Sequence, residues 1–276
     1  MVLRFIFNVL GGLFATVTSG MFFGALTVGG IFAMYSGDLP SHDSLARHTP
    51  ATISRIYSGE GQIIDEFAKE RRLFVPAEDI PDLVKQAFIS AEDKNFYTHE
   101  GYDARGMVAA FVEAVKTRGE NLRGASTITQ QVAKNFLLSG ERRGTRGIER
   151  KIKEIILATR LESALSKDRI LELYLNEIDL GQRSFGVAAA AQTYYNKTLD
   201  QLTAGEAAYL AALPKSPGKG LRPVQEYDRA VERRNYVLGE MLDNGYIDQA
   251  TYQAEVALPL KTVMAGDIPS YRDSLP

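Results

Sequence analysis

The sequence predicts a mainly α-helical protein carried behind one transmembrane helix, with a small β-hairpin element between the two. Three observations predict it. From Phe5 to Gly37 no side chain is charged, and about 20 residues of helix at ~1.5 Å each suffice to cross a bilayer core. Between Pro81 and Asn244 apolar residues recur at helical spacing, broken by glycine and proline. Strand-like runs are confined to Thr52 to Tyr57 and Gln62 to Phe67, on either side of Ser58-Gly-Glu-Gly61.

At 276 residues the chain can hold one large domain plus appendages. A net charge of −2 argues against bulk nucleic-acid binding. The absence of cysteine excludes a disulfide framework and thiolate metal sites, and is compatible with an oxidising compartment without requiring one. Charge is instead concentrated locally. From Arg142 to Lys153 six basic residues (Arg142, Arg143, Arg146, Arg150, Lys151 and Lys153) accompany one acid, Glu149.

The apolar N-terminal stretch exceeds the ~7–15 residues of a signal-peptide core, and no clear small-x-small cleavage site follows it. An uncleaved anchor is the reading, with a cleaved signal peptide as its alternative. Arg4 and the amino terminus flank one side, Asp38 and Asp43 the other. The positive-inside rule then places the N-terminus in the cytoplasm and the remainder outside. Gly20-x-x-x-Gly24 has the spacing of a helix-packing face, although glycine is common in such helices anyway. The expected divisions are 1–37, cytoplasmic stub and anchor; 38–75, linker and hairpin, with Gly37 to Pro50 a polar linker; 76–257, the helical domain; and 258–276, a tail with little pattern.

Within the helical part, Leu83, Val84, Ala87, Phe88 and Ala91 share one face of a helix that ends near Asn95. Glu92 lies at the edge of that stripe, where an apolar wall would raise its pKa and suit it to proton transfer. Asp103 to Thr117 is a second helix, with Arg105 in its first turn. Thr127 and Gln130 have capping-box spacing, so a third helix starts inside Gly124 to Gln131 (GASTITQQ) and carries Lys134 and Asn135 two turns on. Its first amides would suit an anion. Gly140 to Gly147 is a glycine-broken basic loop. Ile148 to Leu165 resumes helix, with Arg150 and Glu154 spaced for an i,i+4 ion pair. Further helices are Lys167 to Glu177, Ser184 to Tyr195, Thr203 to Leu213 (opened by a Thr203/Glu206 capping box), Glu226 to Asn244 ended by Gly245, and a short one capped by Asp248. Pro214 to Pro223 is a loop, and no internal repeat is present.

One stretch organises the chemistry. Ala91 to Gly101 (AEDKNFYTHEG) joins two adjacent acids to an aromatic turn with one histidine, and a hydroxyl- and amide-rich run and a block of cations follow. A carboxylate, such a loop and such cations suit transfer of a group that departs as a phosphate.

These residues carry a specific resemblance. Glu92-Asp93-Lys-Asn-Phe96-Tyr-Thr-His99-Glu-Gly101 resembles the first signature of peptidoglycan glycosyltransferases, E-D-x-x-F-x-x-H-x-G. Gly124 to Gln131 with Lys134-Asn135 resembles the second, G-x-S-T-I-T-Q-Q-x-x-K-N, and Arg150-Lys151-Ile-Lys153-Glu154 the third, R-K-x-x-E. Ile170 to Asn176 is similar to the fourth, and Ala212 to Pro217 with Arg233-Arg234-Asn235 to the fifth. All five stand in the family's order.

The resemblance implies a lysozyme-like, helical glycosyltransferase domain that polymerises lipid II into glycan strands. Glu92 would be the general base on the acceptor 4-hydroxyl, and undecaprenyl diphosphate the leaving group. Lys134, Arg142, Lys153 and Arg150 would stabilise the diphosphate, with Glu154 the second essential carboxylate, in donor diphosphate or metal-linked contacts. Ser126, Thr127, Gln130 and Asn135 join the substrate-binding set, whereas Asp93, Phe96, His99 and Gly101 are expected to be structural. No cofactor is certain, and a divalent cation (Mg2+ or Mn2+) at the donor diphosphate is left open, its protein ligands unknown. The implied partners are lipid II, the growing lipid-linked strand, the bilayer and cell-wall synthesis proteins, and no nucleic acid. The implied location is the bacterial inner membrane, single-pass, with a periplasmic catalytic domain. The segment after the fifth motif is similar to class A penicillin-binding proteins, so the chain is expected to correspond to the N-terminal half of one, without its transpeptidase domain. Ser216-Pro-Gly-Lys219 has S-x-x-K spacing but no partner motifs, and is not read as a nucleophile.

Three departures stand out: Ala109 where the family commonly has arginine, with Arg105 one turn earlier on the same face; a longer basic loop before Arg150; and Gly-Lys-Gly after Pro217. Blander readings remain beside the functional ones. Glu154 could merely pair with Arg150, Ser126 and Thr127 could be caps alone, His99 could be a general acid, and the basic block could be a solvated face or attract anionic lipid. At the level of function the alternatives are a lysozyme-like glycan-cleaving enzyme and a catalytically silent lipid II-binding or interaction module.

Overall fold

The computed structural model describes residues 2–37, 39–40, 45, 54–57, 63–67, 71–116, 126–138, 147–215 and 226–263. Helix dominates them, as the periodicity predicts. The chain opens with α1, Val2–Ser36, a helix of 35 residues. Its Leu10–Ser36 portion is long and apolar enough to cross a membrane by length and composition, and none of it is buried inside the protein. The hairpin follows as β1, Ser54–Tyr57, and β2, Ile63–Phe67, antiparallel with a bulge between Ile56 and Tyr57.

The segment after α1 reads as a polar linker, but its described residues are held to the domain. Arg160 Nη2 donates to the carbonyl of Ser36 over 2.9 Å, at the end of α1 where helix carbonyls lack partners. Leu39 packs against the core and Leu45 is buried in it. Hydrophobic burial outweighs the surrounding polarity there.

A second pairing went unseen in the sequence. β3, Arg71–Arg72, runs parallel to β4, Ser184–Phe185, so the segment expected to open a helix at Ser184 first forms a strand. The chain from β3 towards the next helix is strapped to α6, Lys167–Glu177. The Asn176 side chain accepts from Val75 N at 2.8 Å and donates to Val75 O at 2.9 Å, and Glu172 Oε2 accepts from Ala77 N at 2.8 Å. Arg72 pairs with Glu177 and lies over the Phe185 ring.

The remaining helices are α2, Asp82–Glu92; α3, Ala104–Lys116; α4, Ile128–Val132, continued by a π turn over Ala133–Leu137; α5, Gly147–Ala164; α7, Val187–Tyr195; α8, Ala204–Ala212; α9, Tyr227–Asp243; and α10, Gln249–Ala257. The core centres on α8, which packs against α2 and α9. Its alanines and glycine are small enough to let both neighbours approach, and Ala204 to Ala212 is buried except at Glu206. The Thr203/Glu206 capping box forms as its spacing predicts, and Asp248 caps α10 through Thr251 N. α9 ends at Gly245, φ +73°, with Tyr246 N donating to Met241 O and Gly245 N to Leu242 O, a Schellman pair. Arg234, buried, donates to the carbonyls of Val256 and Leu258 at the end of α10. The patternless segment from Leu258 packs back on the domain, Leu260 being buried and Val263 N donating to Tyr194 O.

Candidate active site

Glu92 is the last residue of α2, three positions before the expected end, and Asp93 turns the chain out of the helix. The cause is local. Asp93 is buried, and its Oδ2 accepts from His99 Nε2 and from Ile128 N, both at 2.9 Å. His99 Nδ1 accepts from Gly101 N at 3.1 Å, so the ring proton sits on Nε2 and points at Asp93. The first amide of α4, expected to be open to an anion, is therefore taken by the protein's own carboxylate. Asp93 and His99 thus tie the turn to the start of α4.

The turn is pinned from two further sides. Gly101 has φ +95°, and a Cβ there would lie 2.7 Å from the Ala158 carbonyl carbon, so only glycine lets the turn lie against α5. Its carbonyl accepts from Thr127 Oγ1 at 2.7 Å. Phe96 is fully buried, with Lys167 Nζ 4.6 Å above its ring centre. That ammonium donates to His99 O and to Glu162 Oε1, each at 2.7 Å, while Thr129 Oγ1 donates to the same Glu162 oxygen at 2.6 Å.

α4 links this turn to the cations. Thr127 caps it by accepting from Gln130 N. The reciprocal half of the box does not form, because the Gln130 side chain is drawn to Lys151. Adjacent helical residues point about 100° apart, and the two glutamines use that divergence. Gln131 Nε2 donates to Glu92 Oε2 at 2.8 Å, whereas Gln130 Oε1 accepts from Lys151 Nζ at 2.7 Å. Lys151 also donates to Ser126 Oγ at 2.8 Å and meets Glu154 Oε2 at 3.3 Å. Desolvation pulls the Lys151 pKa down from its ordinary value, against the opposing charge of Glu154. Glu154 is buried, its other oxygen 3.4 Å from Arg150 Nε. The i,i+4 pair predicted from sequence exists, yet Lys151 gives Glu154 its second contact.

Of the other expected residues, Lys153 pairs with Glu149 along α5 at 3.3 Å. Lys134 and Asn135 are exposed on the π turn, which begins sooner than the two helical turns expected. Such turns inside helices often accompany functional sites. Arg142 lies outside the described residues, as do the basic loop as far as Arg146, Gly124 and Ser216. Arg105 and Ala109 are both exposed on α3.

Gln131, Lys151, Glu162 and Lys167 are absent from the sequence-derived set. The paired glutamines were a signal that one of them would reach each neighbour, and Lys151 was visible inside the third motif. Nothing in sequence linked Glu162 and Lys167, which meet across a helix break. Among the described residues no group of three His, Asp or Glu side chains could hold a metal ion. Glu154 is a lone carboxylate between two cations, so these residues do not fit a divalent ion held by protein ligands alone.

A family model described as Transglycosylase matches residues 60–242. The chain belongs to the transglycosylase family. This transglycosylase is 47% identical over 228 residues to Penicillin-binding protein 1A of Rickettsia prowazekii (strain Madrid E), covering 82% of this chain and 28% of that protein. It is 46% identical over 229 residues to Penicillin-binding protein 1A of Escherichia coli (strain K12), covering 83% and 26%. Among solved structures, Penicillin-Binding Protein 1A from Haemophilus influenzae aligns with TM-score 0.45 and 29% identity over 79% of this chain and 22% of that one. The transglycosylase thus spans little more than a quarter of the length of the curated relatives it matches.

Proposed function

We propose that this transglycosylase is a membrane-anchored peptidoglycan glycosyltransferase that polymerises lipid II. One observation carries the reading: a single short helix, α4, joins a carboxylate at the end of α2 to a cationic cluster on α5, through Gln131 and Gln130. A base and a cradle for a departing diphosphate are thereby held at a fixed separation, the preorganisation that such a transfer needs.

Glu92 takes the proton of the acceptor's 4-hydroxyl. The oxygen attacks the donor's anomeric carbon as the bond to the diphosphate breaks, and undecaprenyl diphosphate leaves as the anion. Lys134 and Arg150, exposed beside the site, meet that charge together with Lys153 and Arg142. Lys151 holds Glu154, Gln130 and Ser126 in place as it develops. Asn135 and Thr127 complete the donor side. The leading segment, α1, crosses the bacterial inner membrane with its N-terminus in the cytoplasm, which keeps the domain beside its lipid-tethered substrates.

The test is incubation of detergent-solubilised protein with lipid II. The expected result is glycan strands with matching release of undecaprenyl diphosphate. Shortening of pre-formed strands without diphosphate release would make the protein a glycan-cleaving enzyme, and lipid II binding without either product would make it a binding module.

A further inference from the structure

Tyr174, on α6, is buried with its hydroxyl lacking a hydrogen-bond partner among the described residues. Burying a hydroxyl unpaired is costly, and phenylalanine would fill the same volume without that cost. The ring packs edge-on against Phe88, with centres 6.2 Å apart. Phe88 lies one turn before Glu92 on the same face of α2, so the phenol belongs to the apolar wall beneath that carboxylate. Burial first, and then the charges of Glu92 and Asp93, push the Tyr174 pKa well above its ordinary value. The hydroxyl therefore keeps its proton and remains a donor at any working pH. Two carboxylates are its charged neighbours, and it donates to neither in the resting fold.

We infer that Tyr174 is a positioning residue for Glu92: its buried hydroxyl donates to the Glu92 carboxylate when the acceptor is bound and holds it in line with the acceptor hydroxyl. This rests on the glycosyltransferase reading of the site. In the resting fold Gln131 holds one Glu92 oxygen. As Glu92 turns towards the acceptor, a donor fixed in a packed wall restrains it without needing to reorganise. Tyr195 supplies an internal comparison. Its hydroxyl is also buried and unpartnered among the described residues, but its neighbours are Tyr209, Glu206, Arg234 and Tyr194 rather than the site carboxylates.

The experiment compares Tyr174→Phe and Tyr195→Phe in the full chain by thermal unfolding and by lipid II polymerisation. Both variants are expected to unfold at or above the wild-type temperature. Tyr174→Phe alone should lose kcat, by about tenfold for one hydrogen bond to a charged group, with KM within about twofold. Added to Glu92→Gln, it should cost nothing more. An unchanged kcat, or a joint fall of kcat and unfolding temperature, overturns the inference. A wild-type chain that makes no strands would defeat the glycosyltransferase reading instead. The positional claim is then decided by the 13C carboxyl signal of Glu92 with lipid II bound, which Tyr174→Phe must move and Tyr195→Phe must not.

Discussion

The side-chain amide of Gln131 donates to the carboxylate of Glu92 over 2.8 Å, joining α4 to the end of α2. Two segments far apart in sequence thus set the orientation of one oxygen. A neutral donor can hold a base without neutralising it, which a lysine in the same place could not do.

Gln131→Leu is expected to leave the fold intact and lower polymerisation turnover by about tenfold, the worth of one hydrogen bond to a charged acceptor. Gln131→Glu should be worse at neutral pH. It sets a second carboxylate against Glu92, and two such groups retain one proton to higher pH. Its rate should therefore recover as pH rises, which a pH–rate profile beside wild type reads directly.

Lys151→Met removes the shared donor of Ser126, Gln130 and Glu154. Leaving those groups unpaired should cost about 2 kcal/mol or more, measurable by denaturant unfolding. Arg150→Met should cost less stability, because the Arg150 side chain is half exposed and exposed pairs contribute little.

Gly101→Ala combines a backbone of φ +95° with a Cβ 2.7 Å from the Ala158 carbonyl carbon. Strain and overlap together should cost on the order of 2 kcal/mol or more, lowering the unfolding temperature well beyond Gly147→Ala, where a Cβ meets nothing.

Asp103 carries the clearest pH signature at the start of α3. Hydrogen bonds from Gly106 N and then the Asn95 side chain hold its pKa below the ordinary 3.8. A carboxylate whose folded pKa is lowered contributes stability that is present above the unfolded pKa and lost as pH falls through the folded one. Asp103→Asn should flatten the unfolding temperature over that acidic window. Equal slopes for variant and wild type would contradict the assignment.

Much of this was legible in the sequence, and the gaps have physical causes. Helices with strong caps, such as those begun by Thr203 and Asp248, lie where their signals put them, because capping is local chemistry. The end of α2 was misjudged because the Asp93 side chain answers to His99 and Ile128, neither of them in that helix. The burial of Leu45 and the strand at Ser184 were missed for a related reason, since their partners come from elsewhere in the chain. Which glutamine met which neighbour depended on the packing of α4 between α5 and α6, which sequence spacing does not carry.

The assignment of Glu92 as the base is tested by Glu92→Gln. Lipid II polymerisation and lipid II binding are measured on the same preparation, with unfolding temperature as a check on the fold. Turnover should fall by about a thousandfold or more while binding and stability stay near wild type. Polymerisation at the wild-type rate would contradict that assignment and move the base to another residue.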